Sequence, residues 1–272
     1  MYESFGLVAG RGQTPFMFLQ EARKHGVKKL YVAAMNGETD PEIEKVADHV
    51  EWFYVGQIKK AINFFKNNNV QNMIFTGQVK PERLFTGFRP DLLAVKIMAT
   101  TKEKNAESLF GAVANEFEKA GVHVCDASIF MEKHMSHVGQ MGKVKVKKDL
   151  QNEIDFGVQI ARETSRLDIG QTVVVKKGTV LAVEAFEGTD KAVLRGGELG
   201  HGDVTVVKIS KPKQDMRCDI PCIGMQTVEN LIEAKAHCLA VHAERTLFIE
   251  KEKVIDALNK AGIALFGFTT ED

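Results

Sequence analysis

The chain has 272 residues, enough to bury one large core or two modest ones, and two domains is the expected division. Lysine plus arginine number 36 and aspartate plus glutamate also 36, so no net field draws the protein to nucleic acid or to an acidic membrane surface. The sequence shows no basic-then-apolar leader and no run near the roughly 18 apolar residues of a spanning helix, so the expectation is a cytoplasmic protein.

The first half alternates strand-like and helix-like runs, the pattern of a Rossmann-like α/β domain with a mainly parallel sheet, taken as residues 1–132. "FGLVAG" (5–10) reads as a strand, and "TPFMFLQEARKHG" (14–26) as a helix capped by Thr14 with Pro15 in its first turn. Strands follow at 28–35 and 50–56, then an amphipathic helix at 57–69 and a buried strand at 70–79. Residues 92–121 hold one or two helices that Gly121 ends before the strand "VHVCDA".

Residues 133–148 are basic, glycine-containing and without clean periodicity, and read as the linker to a second α/β domain over 149–272. That domain opens with a helix (152–167) and continues with two β-branched runs joined at "KKG" like a hairpin. A helix at 227–236, strands in "HCLAVHA" and "TLFI", a helix at 251–262 and the run "IALFGF" complete it.

Cys125, Cys218, Cys222 and Cys238 lack CxxC spacing and read as free thiols in a chain too large to need disulfides. The "HMSH" pair, His134 and His137, is weak as a zinc site because it falls in the linker.

Glycines cluster where phosphates bind. Gly10 and Gly12 lie between the first strand and the first helix, where backbone amides and the helix dipole can hold a phosphate, although a tight structural turn needs the same residues. The third glycine of the dinucleotide fingerprint is missing, and "AAMNGETD" at the end of the second strand has no acid at the position that would bond an adenosine ribose, which weakens an NAD-dependent oxidoreductase reading. "TGQVKPERLF" brings Gln78, Lys80 and Arg83 to another strand end, and "GFRPDL" brings Arg89 and Asp91.

The densest signal runs from 182 to 224. Glu184, Glu187 and Asp190 follow one β-like run, and Lys211, Asp215, Arg217 and Asp219 follow "VTVVKIS", with Lys208 at its end. Paired hard oxygen donors suit Mg²⁺ or Mn²⁺, which bridge a carboxylate or two to substrate phosphates, while lysine and arginine take phosphate charge. Nothing here pairs a serine or cysteine with a histidine, so water is the better nucleophile.

"GLVAGRGQTP", "TGQVKPERL", "LDIGQTVVVKKGTVLAVEAFEGTDKAV" and "VKISKPKQDMRCDIPCIGMQTVE" together resemble the bacterial LpxI family, UDP-2,3-diacylglucosamine pyrophosphatases of lipid A biosynthesis. The resemblance spans nearly the whole chain. It implies metal-dependent hydrolysis of a UDP-linked diacylated glucosamine to UMP and 2,3-diacylglucosamine 1-phosphate (lipid X), with peripheral contact at the inner-membrane surface, and it leaves a homodimer open. Carried over at matching positions, it implies Asp215 and Asp219 as catalytic carboxylates and, with Glu187 and Asp190, as metal ligands. Lys80, Lys211, Arg217 and Thr189 fall to the phosphates, and Gly10, Gly12 and Gln78 to the nucleotide.

One element departs from the family pattern. Where many relatives carry a paired-aspartate "K-x-D-D-A" element, this chain has Asn105 and Ala106. If that pair binds metal or substrate, the departure implies a changed site or a non-catalytic lipid- or nucleotide-binding homologue, which is the rival reading. The runs "INFF", "LFTGF" and "LFGF" could line an acyl pocket, at about 0.8 kcal/mol per buried methylene, but ordinary core packing accounts for them equally.

Overall fold

The structure is a computed structural model that describes residues 2–79, 88–101, 106–211 and 214–270. It divides into two compact units, one of Met1–Glu132 with Asp215–Asp219 and one of Lys133–Gln214 with Ile220–Asp272.

The first unit is built on β1 (Ser4–Ala9), β2 (Lys29–Met35), β3 (His49–Phe53), β4 (Asn72–Thr76) and β5 (His123–Val124), with helices α1 (Thr14–Lys24), α2 (Ile58–Asn67), α3 (Leu92–Thr100) and α4 (Ala106–Lys119). The strand order is β3-β2-β1-β4-β5 and every pairing is parallel. A mainly parallel sheet with helices is therefore the fold that the sequence led us to expect.

Parallel strands covered on both faces read as unbroken apolar runs. In β1, Phe5, Leu7 and Ala9 pack with Phe18, Leu19 and Ala22 of α1, while Val8 packs on the other face with Phe65 of α2 and Phe117 of α4. Each such large side chain contributes about 1.5–3 kcal/mol by its burial. Gly6 makes room on that second face, since a Cβ there would lie 2.8 Å from the Phe65 ring. Asp91 caps α3 by accepting the Ala94 N–H at 2.9 Å.

The second unit centres on a six-stranded mixed sheet. Its strands are β6 (Gly139–Gln140), β7 (Thr172–Lys176), β8 (Thr179–Val183), β9 (Val204–Lys208), β11 (Ala236–His242) and β13 (Ala264–Phe268), in the order β6-β13-β11-β9-β7-β8. Strands β9, β11 and β13 run parallel, and β7 is antiparallel to both β8 and β9. A separate parallel pair joins β10 (Cys222–Ile223) to β12 (Leu247–Phe248).

Helix α5 (Lys148–Arg166) covers one face of the six-stranded sheet, placing Ile154 and Ala161 against Val175 and Val207. The other face carries α6 (Thr189–Gly200), α7 (Met225–Glu233) and α8 (Lys251–Lys260), through Val193, Val228, Leu231, Val254 and Leu258. Residues 133–148, read from sequence as a linker, fall in this unit: β6 pairs with β13, and Ser136 donates its N–H to Thr246 O at 2.8 Å. Pairings of two residues are too short to leave a period in the sequence.

Helix α6 was not expected either, because the sequence offered a loop there. Three glycines suppress its helical signal, at about 1 kcal/mol each relative to alanine. Packing is the reason for them: a Cβ on Gly196 would sit 2.5 Å from Val174, one on Gly197 2.5 Å from Ala234, and one on Gly200 2.6 Å from Val204.

The possible acyl-lining runs turn out largely as core. Ile62, Phe64, Phe65, Leu265 and Phe268 are all buried in it, whereas residues 84–87 of "LFTGF" lie outside the described residues. Among the described residues no helix is long and apolar enough to cross a membrane.

Candidate active site

In an open parallel sheet, ligands gather outside the strand carboxyl ends where the strand order reverses. In the first unit that point lies between β1 and β4, and the Gly10–Gly12 and Gly77–Gln78 turns meet there. Arg11 and Gln78 exchange two backbone hydrogen bonds, of 2.8 and 3.0 Å, and Gly10 donates its N–H to Thr76 O at 2.8 Å. A Cβ on Gly10 would stand 2.5 Å from Gln78 O, so glycine at 10 is required by the approach of two backbones. Gly12 differs: its φ is +99°, and no atom lies within 4 Å of where its Cβ would be. The side of the turn on which a Gly12 Cβ would stand is therefore open. Lys80 lies outside the described residues.

The segment Asp215–Asp219 packs in the same unit, against α4. The Met216 carbonyl accepts the Ala127 N–H at 3.0 Å, and Cys218 packs on the core beside Phe117. Both oxygens of Asp215 are taken by Arg217, whose Nε lies 2.9 Å from Oδ1 and whose Nη2 lies 2.7 Å from Oδ2. Arg217 Nη2 also reaches Asn115 Oδ1 at 3.5 Å. The guanidinium bonds hold the Asp215 carboxyl below its ordinary range, against the opposing effect of partial burial, and the carboxylate raises the Arg217 pKa in turn. Asp219, four residues along, is exposed.

In the second unit a buried polar network sits at the carboxyl end of β9. Lys208, 6% exposed, donates from Nζ to Thr189 Oγ1 at 2.9 Å, and Thr189 donates to Glu184 Oε1 at 2.9 Å. The fully buried Thr172 hydroxyl lies 3.4 Å from that of Thr189. Thr189 opens α6, whose N-cap Gly188 has φ +85° and supplies no side-chain cap to the first amides of the helix. The second oxygen of Glu184 is buried without a hydrogen-bond partner among the described residues.

Of these residues, the sequence picked out Glu184 and Lys208 within its densest signal and Thr189 by family resemblance, and missed Thr172. Thr172, Glu184 and Lys208 come from separate strand ends, and only the sheet joins them. Lys211 pairs with Asp168, and its N–H donates to Gln214 Oε1 at 3.0 Å. Glu187 pairs with Arg195 at 2.6 Å, which lowers its pKa, and Asp190 is exposed in the first turn of α6.

The expected metal ligands are thus divided, with Asp215 and Asp219 in the first unit and Glu187 and Asp190 in the second. Among the described residues no three His, Cys, Asp or Glu side chains gather as a cage. A cation held by one or two carboxylates plus substrate phosphates, as Mg²⁺ often is, needs no such cage.

Two of the cysteines are structural, and Arg83 lies outside the described residues. All four cysteines are free, and burial pushes the Cys125 thiol up to about 11 and that of Cys238 further, so both are inert packing groups.

The two sheets and the helices packed on them define the class, an α/β protein of two units, one sheet all parallel and the other mixed. The chain belongs to the LpxI family, for the LpxI N-terminal domain matches residues 4–134 and the LpxI C-terminal domain residues 137–266. It is 30% identical over 281 residues to the UDP-2,3-diacylglucosamine pyrophosphatase LpxI of Caulobacter vibrioides, covering 98% of each chain. Among solved structures it has a likeness to the biotin carboxylase domain of Hydrogenobacter thermophilus 2-oxoglutarate carboxylase, at 12% identity and a TM-score of 0.25, over 66% of this chain and 36% of that one. The biotin carboxylase subunit of pyruvate carboxylase is similar at 13% identity and a TM-score of 0.24, over 68% of this chain and 36% of that one. Likenesses that weak carry no functional argument.

Proposed function

We propose that this protein is a hydrolase that cleaves the diphosphate of UDP-2,3-diacylglucosamine, giving UMP and 2,3-diacylglucosamine 1-phosphate for lipid A biosynthesis. The observation that carries the reading is the similarity to the Caulobacter pyrophosphatase over 98% of both chains. Conserving a whole two-unit chain, rather than one nucleotide-binding half, favours conserved chemistry over a borrowed fold.

In this reading Lys208, Thr189 and the first amides of α6 receive a phosphate. Lys208 brings positive charge to a position where little water competes, so its stabilisation of a departing phosphate is larger than at the surface. Glu184 accepts the Thr189 proton, which turns the hydroxyl lone pairs toward Lys208 and holds the pair in one geometry. Arg217 keeps Asp215 ionised and in place, and the exposed Asp219 is the carboxylate we assign to orient an attacking water. A divalent cation, Mg²⁺ or Mn²⁺, would be held by Asp219 with substrate phosphates, and would supply charge neutralisation and activation of water.

The test is UMP release from UDP-2,3-diacylglucosamine by the full chain in Mg²⁺, Mn²⁺ or chelator, with Asp219→Ala beside it. Expected is metal-dependent turnover that falls by about 10²-fold or more in the variant, as when a transition-state contact is removed. A folded chain that binds the substrate but releases no UMP with any metal would overturn the reading, and Asn105 and Ala106 would then be the first positions to change to aspartate.

A further inference from the structure

One cleft of the first unit lies away from the residues assigned above except Gly12. It encloses about 790 Å³ and is lined by Arg11, Gly12, Asn36, Glu38, Asp40 and Trp52, among others. These residues stand at the carboxyl ends of β1, β2 and β3. In an open parallel sheet that is the side of the switch point that takes the nucleoside. The volume falls in the range of small-molecule sites.

The walls are set before any ligand arrives. Asn36 donates its N–H to Phe53 O at 2.8 Å, and Glu38 and Thr39 both donate theirs to Met35 O at 3.0 Å. The Thr39 hydroxyl accepts the Met35 N–H at 2.8 Å and donates to the Ala9 carbonyl, tying the turn after β2 to the end of β1. Trp52 donates its indole N–H to Glu44 at 2.6 Å, which fixes the ring plane. Glu38 is only 7% exposed, a carboxylate sunk into the cleft wall three residues beyond the strand end where the sequence reading looked for an acid.

Each group has a matching part on one ligand class. A buried carboxylate suits the vicinal hydroxyls of a ribose. An indole face suits a planar base. The Asn36 carboxamide offers one donor edge and one acceptor edge, the complement of a uracil N3–H and its neighbouring carbonyl. Arg11, and the Gly12 backbone beside the start of α1, suit phosphates.

We propose that this cleft holds the nucleoside half of a uridine nucleotide, with Trp52 against the base, Glu38 on the ribose hydroxyls and Arg11 and Gly12 toward the phosphates. The assignment of uridine rests on the function proposed above. Trp52 is the sole tryptophan of the chain, so its emission reports on this cleft alone.

The full chain is titrated with UMP and with 2′-deoxy-UMP, and Glu38→Gln likewise. Expected is saturable quenching, with UMP preferred about tenfold by the native protein, and a variant that binds both nucleotides equally, because the discriminating partner of the 2′-hydroxyl is gone. Comparing two ligands on one variant separates loss of recognition from loss of fold. A silent Trp52, or a Glu38→Gln chain that discriminates as the native one does, would overturn the inference. UMP release by the native chain together with either of those results sinks the cleft assignment and leaves the pyrophosphatase reading intact. Ribose-dependent quenching without any UMP release does the opposite.

Discussion

At the carboxyl ends of the first sheet, position is held by backbone: Arg11 and Gln78 bond main chain to main chain, and Gly10 is small because Gln78 O stands where its Cβ would be. At the carboxyl end of β9 in the second sheet, position is held by side chains, with Thr189 between Glu184 and Lys208. Backbone positioning tolerates almost any side chain that points away and no added Cβ that points in. Side-chain positioning tolerates changes of shape but not of terminal atoms. The two units are therefore vulnerable to opposite kinds of substitution.

The largest effect should come from Gly10→Val, which forces carbon into a space bounded by main-chain atoms at 2.5–2.9 Å. Nothing flexible can move aside, so a loss of about 3 kcal/mol is expected in urea unfolding. A loss below about 0.5 kcal/mol would mean that the two turns are not held by each other. Next is Lys208→Met, compared with the double variant Lys208→Met, Glu184→Gln. The single change leaves a buried carboxylate without its nearby cation, and the double change removes both charges, so the double variant should regain about 1 kcal/mol or more of stability. Activity should stay low in both. Stability and turnover recovering together would show that Lys208 serves the fold alone.

The smallest effect concerns Asp215. Arg217 holds its carboxyl below the ordinary 3.8, so the unfolded chain binds more protons than the folded one in that window. The stabilising contribution is present above the unfolded value and is lost as the pH falls through the folded one. The stability gap between the native chain and Asp215→Asn, at most about 1 kcal/mol for a partly exposed pair, should shrink between about pH 5 and pH 3. A gap that does not change with pH would mean that the pair contributes nothing through ionisation.

Much of this contrast could be read in the sequence on one side only. The first sheet was legible because its strands are continuous apolar runs cut by Gly10, Gly77 and Gly121, and those signals are local. Helix α6 was hidden because Gly196, Gly197 and Gly200 serve Val174, Ala234 and Val204, partners that only the tertiary fold brings near. The same holds for the polar network, since Thr172 and Lys208 become neighbours through the antiparallel pairing of β7 with β9. The burial of Glu38 was hidden in the same way, because the turn after β2 is tied down by Thr39 bonding to Ala9, a partner thirty residues away.

The five residues Asp215–Asp219 carry one more consequence. They lie some eighty residues beyond the end of the first unit's own stretch of chain, yet they pack within it, with Cys218 on its core. A gene cut between residues 134 and 137, where the two family matches meet, would therefore yield an incomplete N-terminal piece. That piece would lose an apolar contact and the Asp215–Arg217 pair together. The chain passes between the units three times rather than once, so neither half is a module that evolution or an engineer can transplant alone. Exchange between relatives must carry the borrowed loop along with its host.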